Sequence, residues 1–245
     1  MKVKILLSFV VVVQLSLGSI AQKVAVASDV YRISSNGNVD SGLYKLLRPY
    51  ADSIGKTMNK VIGFSANGMT KKQPESGLGN FMADCMKAMA EKKFDTKVDA
   101  AFVNYGGIRS YLPKGEVTVG KIFEIMPFDN LIVLQVVPGD TLQAFLNRVA
   151  EKGGWPISGI SMGIKEKKAV NVIVNNEPLQ SGKMYVIANS DYIANGGDDC
   201  FMLKKIPTLN RGYLLRDALI TYVENYTQSG QSIDANSQNR VVYAR

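Results

Sequence analysis

Three short segments carry residue types suited to holding a ligand, and each joins glycine or proline to polar or aromatic side chains. The first is Asn104-Tyr105-Gly106-Gly107-Ile108-Arg109. Adjacent glycines admit positive φ and let a ligand approach the backbone closely. Asn104 offers a donor and an acceptor suited to a base edge or a ribose, and Arg109 can grip phosphate oxygens or a carboxylate with its fork of N–H groups. The second is Met126-Pro127-Phe128-Asp129-Asn130, where proline restrains the chain ahead of Phe128 and can present its ring to a base. The third runs from Asn189 to Asp199. It adds Tyr192 as a second ring, Gly196-Gly197 as another close-approach turn, and Asp198 as a carboxylate able to accept both hydroxyls of a ribose.

Each segment alone has a plainer reading: a tight turn with a surface ion pair, a ring that caps the core, a polar loop. Together they supply two rings to sandwich a base, a carboxylate for the ribose and an arginine for an anionic end. That combination defines a nucleotide or nucleoside site, with Asn104, Gly106, Gly107, Arg109, Phe128, Tyr192, Gly197 and Asp198 as the expected binding residues.

Other chemistry is excluded by what the sequence lacks. There is no histidine in the 245 residues, so neither a Ser-His-Asp nor a Cys-His arrangement can form, and imidazole-liganded metal sites are ruled out within these residues. The acidic loop at 189–199 has neither the spacing nor the distal glutamate of an EF-hand. No catalytic residue and no metal ligand is therefore expected here. The formal charge of +8 favours anionic ligands or surfaces, but no dense Lys/Arg run interleaved with aromatics argues for nucleic acid.

The elements that must position these loops follow from periodicity. Apolar residues Leu43, Leu46, Leu47, Tyr50 and Ile54 recur at helical spacing between Asp40 and Met58. A second helix is predicted from Ser76 to Lys93, with Ser76 as N-cap and Lys92-Lys93 suiting the C-terminal end of the helix dipole. Shorter helices are predicted at 121–126, 141–150 and 212–224. Strands are expected at 61–64, 98–103, 117–119, 131–137, 159–164, 169–174, 184–190 and 240–243. The absence of strict βαβ alternation and of any fixed-period repeat makes the class α+β. Cys85 and Cys200 both lie in apolar contexts and read by default as buried thiols, although export would permit a disulfide.

The N-terminus reads differently. Lys2 and Lys4 precede the apolar run Ile5–Val13, and Ser19 and Ala21 stand before Gln22 as small residues at a cleavage site. Residues 1–21 thus have the anatomy of a secretory signal peptide, with a retained N-terminal anchor as the competing reading. Cleavage removes two lysines and lowers the formal charge from +8 to +6. It leaves 22–39 as a polar lead-in and 40–245 as the domain, exported to the periplasm or cell exterior with no transmembrane segment.

The segments Glu75–Asn80 with Ala83-Asp84, Asn104–Arg109, Gly115-Glu116-Val117-Thr118, Pro127-Phe128 and Asn195-Gly196-Gly197-Asp198 occur in a telling order. That order and spacing resemble the C-terminal, substrate-recognition domain of the 5′-nucleotidase family. The resemblance implies a four-layer α/β/β/α sandwich in which the rings at Phe128 and Tyr192 clamp the base. It places Asn104, Arg109 and Asp198 against base, phosphate or sugar. Tyr192 stands where phenylalanine is usual, Tyr105 replaces a glycine, and Pro74 lies near a position where relatives often carry arginine. Hydrolysis in that family belongs to an N-terminal metallophosphoesterase domain with two metals and several histidines, to which nothing here corresponds. The expectation is the nucleotide-recognition subunit of a split secreted 5′-nucleotidase-type phosphohydrolase, inactive alone. Its divalent metals would sit in a separate metallophosphoesterase chain. The alternative is a non-catalytic periplasmic nucleotide- or nucleoside-binding protein.

Overall fold

The computed structural model describes residues 40–244. The leader-like residues 1–21 and the lead-in 22–39 lie outside the described residues. Helix α1, Ser41–Met58, begins where the Asp40 carboxylate accepts from the Gly42 and Leu43 N–H groups at 2.8 and 3.0 Å. Its apolar stripe is as periodic as the sequence indicates, yet none of its side chains is buried. The chain divides inside this helix, after Leu46, into two compact units. All that follows belongs to the second.

Strand β1, Val61–Ser65, leads to α2, Gly77–Phe94, whose N-cap is Ser76 as expected: its Oγ accepts from the Gly79 N–H at 3.1 Å. Next come β2, Ala100–Phe102, β3, Gly115–Thr118, and α3, Val119–Ile125. They are followed by β4, Leu131–Pro138, α4, Gly139–Glu151, and β5, Ile157–Ser158. Strands β6, Ile160–Lys165, β7, Lys168–Val174, and β8, Glu177–Pro178, precede β9, Met184–Ser190, and the single turn α5, Asp191–Ala194. Strand β10, Thr208–Leu214, α6, Leu215–Gln228, and β11, Val241–Tyr243, complete the chain.

The centre is a five-stranded sheet in the order β10-β4-β9-β2-β5. Alternation along its strands sends neighbouring side chains to opposite faces. Ala101 and Ala188 join the core under α2 and α6, while Phe102 and Ile187 join the core under α4. In the first core, the α2 stripe of Leu78, Phe81, Met82, Cys85, Met86 and Met89 packs with Leu215, Leu219 and Val223 of α6. In the second, Phe145 of α4 makes edge-on contacts with Phe102 and Trp155, centroids 4.8 and 5.9 Å apart. This core also takes the inner residues of a second sheet, ordered β11-β6-β7-β8. Helices, sheet, sheet and helix are the layers of an α/β/β/α arrangement, and the class is α+β. Cys85 and Cys200 are both free and sit in different cores. Burial, with Asp84 adding, pushes the Cys85 thiol well up, and burial first, then Asp198, pushes Cys200 up to about 12.

One departure from the sequence expectation has a clear cause. The last long helix starts at Leu215 rather than 212, because β10 occupies 208–214. That strand forms the sheet edge, its residues are mostly exposed and its register slips between Asn210 and Leu214, so it has neither apolar run nor alternation. Glu75, which also accepts from Asn80 Nδ2 at 2.7 Å, and Asp84 both make contacts far along the chain. Glu75 accepts from the Gln238 and Arg240 N–H groups at 2.9 and 3.2 Å, and Asp84 receives both prongs of Arg240 at 2.7 Å and the Ser158 hydroxyl at 2.6 Å. A carboxylate just before α2 and another midway along it thereby tie down the C-terminal segment beside β11.

Arg240→Ala leaves a part-buried carboxylate short of two charge-assisted hydrogen bonds and is expected to lower stability by about 1–3 kcal/mol in urea unfolding. A change below about 0.5 kcal/mol, the range of an ordinary surface substitution, contradicts this role.

Candidate functional site

Strand direction determines what meets at one end of the central sheet. Strands β4 and β9 are antiparallel, pairing Ile132 with Ser190 and Pro138 with Met184, so the start of β4 lies beside the end of β9. Strands β2 and β9 run parallel, with Ala100 opposite Ile187, so the end of β2 lies there too. The Phe128 loop precedes β4, Tyr192 follows β9, and the Asn104 loop follows β2. Three segments separated widely in sequence are thus delivered to the same edge.

They line one cleft of about 330 Å³, formed by Asn104, Gly106, Gly107, Arg109, Phe128, Asn130, Tyr192 and Asp198. Every expected site residue but Gly197 is on this wall, and Asn130 joins them. Phe128 and Tyr192 are 40% and 46% exposed, as other rings of the chain such as Phe64 and Phe201 also are; what sets these two apart is that they line the same cleft. Gly197 stands behind the wall rather than on it. A Cβ there would fall 2.5 Å from the Tyr192 ring, so only glycine lets the ring lie against this turn.

The first loop closes as a 3₁₀ turn, Tyr105–Gly107, with the Gly107 N–H on the Asn104 carbonyl at 2.9 Å. A Cβ on Gly107 would meet the Asn104 Oδ1 at 2.7 Å, which explains glycine at that position. Tyr105 does not crowd the turn: it packs against the second core, with the Lys71 Nζ 4.3 Å from its ring centroid. Arg109 donates to the Gly106 carbonyl at 3.2 Å and lies 5.7 Å from the Phe128 ring centroid, within cation–π range. Lys71 donates to the Ile108 and Tyr105 carbonyls at 2.6 and 3.3 Å, bracing this loop from behind. Its pKa is lowered by partial burial and then by the Arg109 charge.

Phe128 is fixed from the other side. Arg216, at the start of α6, donates to the Phe128 carbonyl at 3.2 Å and to the Asp129 carboxylate at 2.5 Å, while its guanidinium lies 4.1 Å from the Phe123 centroid. Leu214 pairs with Leu131 across β10 and β4, which is why the head of α6 reaches this end of the sheet. Neither Lys71 nor Arg216 was marked by the sequence. A lysine in a loop and an arginine in a helix carry no local pattern, and their roles depend on strands that meet only in the fold.

The Asp198 carboxylate, expected to be free for a ribose, already accepts from Asn104 Nδ2 at 2.9 Å and the Tyr192 hydroxyl at 3.1 Å. Two of its roughly four acceptor positions are used. Outside the cleft, Arg148 donates to the Asp198 carbonyl at 3.2 Å and pairs with the carboxylates of Asp199 and Glu151. Lys152, the largest contributor, and Arg148 hold the Asp199 carboxyl below its usual range. A larger groove of about 420 Å³ lies near Lys87, Ser158 and Arg240. Its cations are committed, Lys87 to Glu91 and Arg240 to Asp84, and it has no aromatic lining.

Residues 53–205 match the family model described as the 5′-nucleotidase C-terminal domain. A 5′-nucleotidase of Vibrio parahaemolyticus is 27% identical over 200 residues, covering 77% of this chain and 34% of that protein. One of Vibrio vulnificus is 28% identical over 204 residues, covering 78% of this chain and 36% of that protein. Among solved structures, a 5′-nucleotidase precursor from Thermus thermophilus superposes with a TM-score of 0.72 at 26% identity, over 84% of this chain and 44% of that one. The Haemophilus influenzae NAD nucleotidase, at 19% identity and a TM-score of 0.64 over 84% of this chain and 42% of that one, shares the fold. The chain belongs to the 5′-nucleotidase family through its C-terminal domain. It spans less than half the length of these relatives.

Gly197→Ala forces a methyl group into the Tyr192 ring and is expected to cost about 1–3 kcal/mol of stability, measured by urea unfolding. Wild-type stability in this variant contradicts the close packing of ring on turn.

Proposed function

We propose that this chain is the nucleotide-recognition component of a secreted 5′-nucleotidase-type phosphohydrolase, acting with a separately encoded metallophosphoesterase that performs the hydrolysis. The observation that carries this reading is the single cleft in which two exposed rings, a carboxylate and an arginine meet. Phe128 and Tyr192 would take the two faces of a base. Asp198 and Asn104 would address the sugar, and Arg109 would face the anionic end. Burying a base between rings supplies affinity with little dependence on base identity, which suits a general nucleotide scavenger.

The residues present do not fit a two-metal phosphoesterase centre. The sequence holds no histidine, and among the described residues no three carboxylate or thiol groups gather to hold a metal. The divalent ions of such a reaction are therefore assigned to the partner, and the role of this chain is to seize the nucleotide and present its phosphate. In this reading residues 1–21 serve as the export signal and 40–245 as the recognition domain, and the protein acts in the periplasm or at the cell exterior. Among the described residues no helix is long and apolar enough to cross a membrane.

Mixing the purified chain with a secreted metallophosphoesterase chain of the same source, in Mn²⁺ or Zn²⁺, is expected to release phosphate from AMP at a rate neither chain reaches alone. Micromolar AMP binding without any such gain, at any partner concentration, contradicts the split enzyme and leaves a nucleotide-binding protein. Phe128→Ala is expected to weaken AMP binding by about 1–3 kcal/mol in calorimetric titration; unchanged affinity removes base stacking from the account.

A further inference from the structure

The face of the central sheet that carries α2 and α6 lies open at one end. Helix α2 stops at Phe94, and past it Val136, Met184 and Leu209 are 51%, 53% and 49% exposed. Strand pairing puts these side chains on one face: Val136 is opposite Val186, Pro138 opposite Met184 and Leu209 opposite Leu134. Val136, Val186 and Leu209, with Leu134, Thr96 and Pro207, line an apolar groove of about 410 Å³. Contiguous exposed apolar surface of this kind marks a place where another molecule binds. The groove also runs beside an unpaired edge. Strand β10 is outermost in its sheet, with no strand beyond it among the described residues, and Thr208–Arg211 are exposed. Such an edge offers N–H and C=O groups to a further extended chain.

Charge identifies the kind of chain. Lys92, Lys93 and Lys97 flank Thr96 on one side of the groove, and Lys205 and Arg211 flank Pro207–Leu209 on the other. Arg211 donates to the Lys93 carbonyl at 2.8 Å, which brings the two sides together. None of these five cations enters an ion pair among the described residues. Of the carboxylates on the same stretch, Glu91 is paired with Lys87, and Asp99 accepts from the Val186 N–H and from Asn175, each at 2.8 Å. Asp95 alone is left to offset the five. A second copy of this chain would set the same lysines and arginine against each other, whereas an acidic partner meets its complement. We propose that the open edge of β10 and the groove beside it dock an extended acidic segment of another protein, added as a strand, with aliphatic side chains at alternate positions entering the groove. Strand β4 starts and β9 ends at the ligand cleft, so this groove lies at the opposite end of the same strands. An occupant here leaves the cleft open, whatever the cleft binds.

The test is fluorescence anisotropy of the purified chain with three labelled peptides. They are Glu-Val-Glu-Val-Glu-Val-Glu, its lysine counterpart Lys-Val-Lys-Val-Lys-Val-Lys, and Glu-Glu-Val-Val-Val-Glu-Glu, which keeps the composition and loses the alternation. The alternating acidic peptide is expected to bind about tenfold or more tighter than either of the others. Val136→Glu, which puts a like charge into the groove, and Arg211→Glu, which reverses one flanking cation, are each expected to weaken it by about tenfold. Arg211→Glu keeps the test intact should Val136→Glu fail to fold, and unchanged binding by a folded variant overturns the proposal. Equal binding of the two acidic peptides reduces the effect to charge attraction and overturns strand addition. Equal binding of the lysine peptide, or no binding of the alternating acidic peptide at about 1 mM, overturns the site. Dimers of the chain in sedimentation velocity that are lost in Val136→Glu would make a second copy the occupant and overturn the acidic partner.

Discussion

The pairing of β4 with β9, antiparallel from Ile132–Ser190 to Pro138–Met184, is the constraint on which the cleft depends. Because β2 runs parallel to β9 on its other side, the two strand ends and the β4 start that carry the ligand-type residues emerge at one edge of the sheet. A shift of one residue in this register would exchange the faces of β4 or β9, moving Ile187 and Ala188 into each other's cores. The two hydrophobic cores thus hold the loops in place, since each core accepts only one register. No loop has to find its partner unaided.

Rigidity at the cleft comes from polar contacts made behind it. Arg216 pins the Phe128 backbone, Lys71 braces the turn that bears Arg109, and Arg148 holds the Asp198 loop from outside. Each of these cations binds a backbone carbonyl that the loop leaves without a strand or helix partner. An unmet buried carbonyl would be costly, so the bonds serve stability and placement together. The cleft itself keeps its rings, its carboxylate and its arginine facing solvent. A preformed site of this kind loses little ordering entropy when a ligand enters.

Much of this could be read from the sequence, and the reasons differ by element. The helix at 77–94 announces itself through Ser76, the Leu78–Met89 stripe and the closing lysines, which are local signals. The cleft residues were legible because glycine pairs, rings and charged groups cluster just after apolar strand runs. Strand β10 was not, since an exposed edge strand carrying Asn210, Arg211 and Gly212 has no periodicity to detect. Arg216, Lys71 and the Glu75–Asp84–Arg240 tether were illegible for a deeper reason: their partners lie far along the chain and become neighbours only through strand order. The prior occupation of Asp198 by Tyr192 and Asn104 belongs to that class as well.

The central claim is that Phe128 and Tyr192 enclose a nucleobase whose sugar faces Asp198. Its most direct test is an experimental structure of the chain with bound AMP. The account predicts the adenine ring between the two aromatic side chains, the ribose hydroxyls on Asp198 and the phosphate toward Arg109. AMP bound elsewhere, for example in the groove beside Lys87 and Arg240, or with its base outside the two rings, would contradict it.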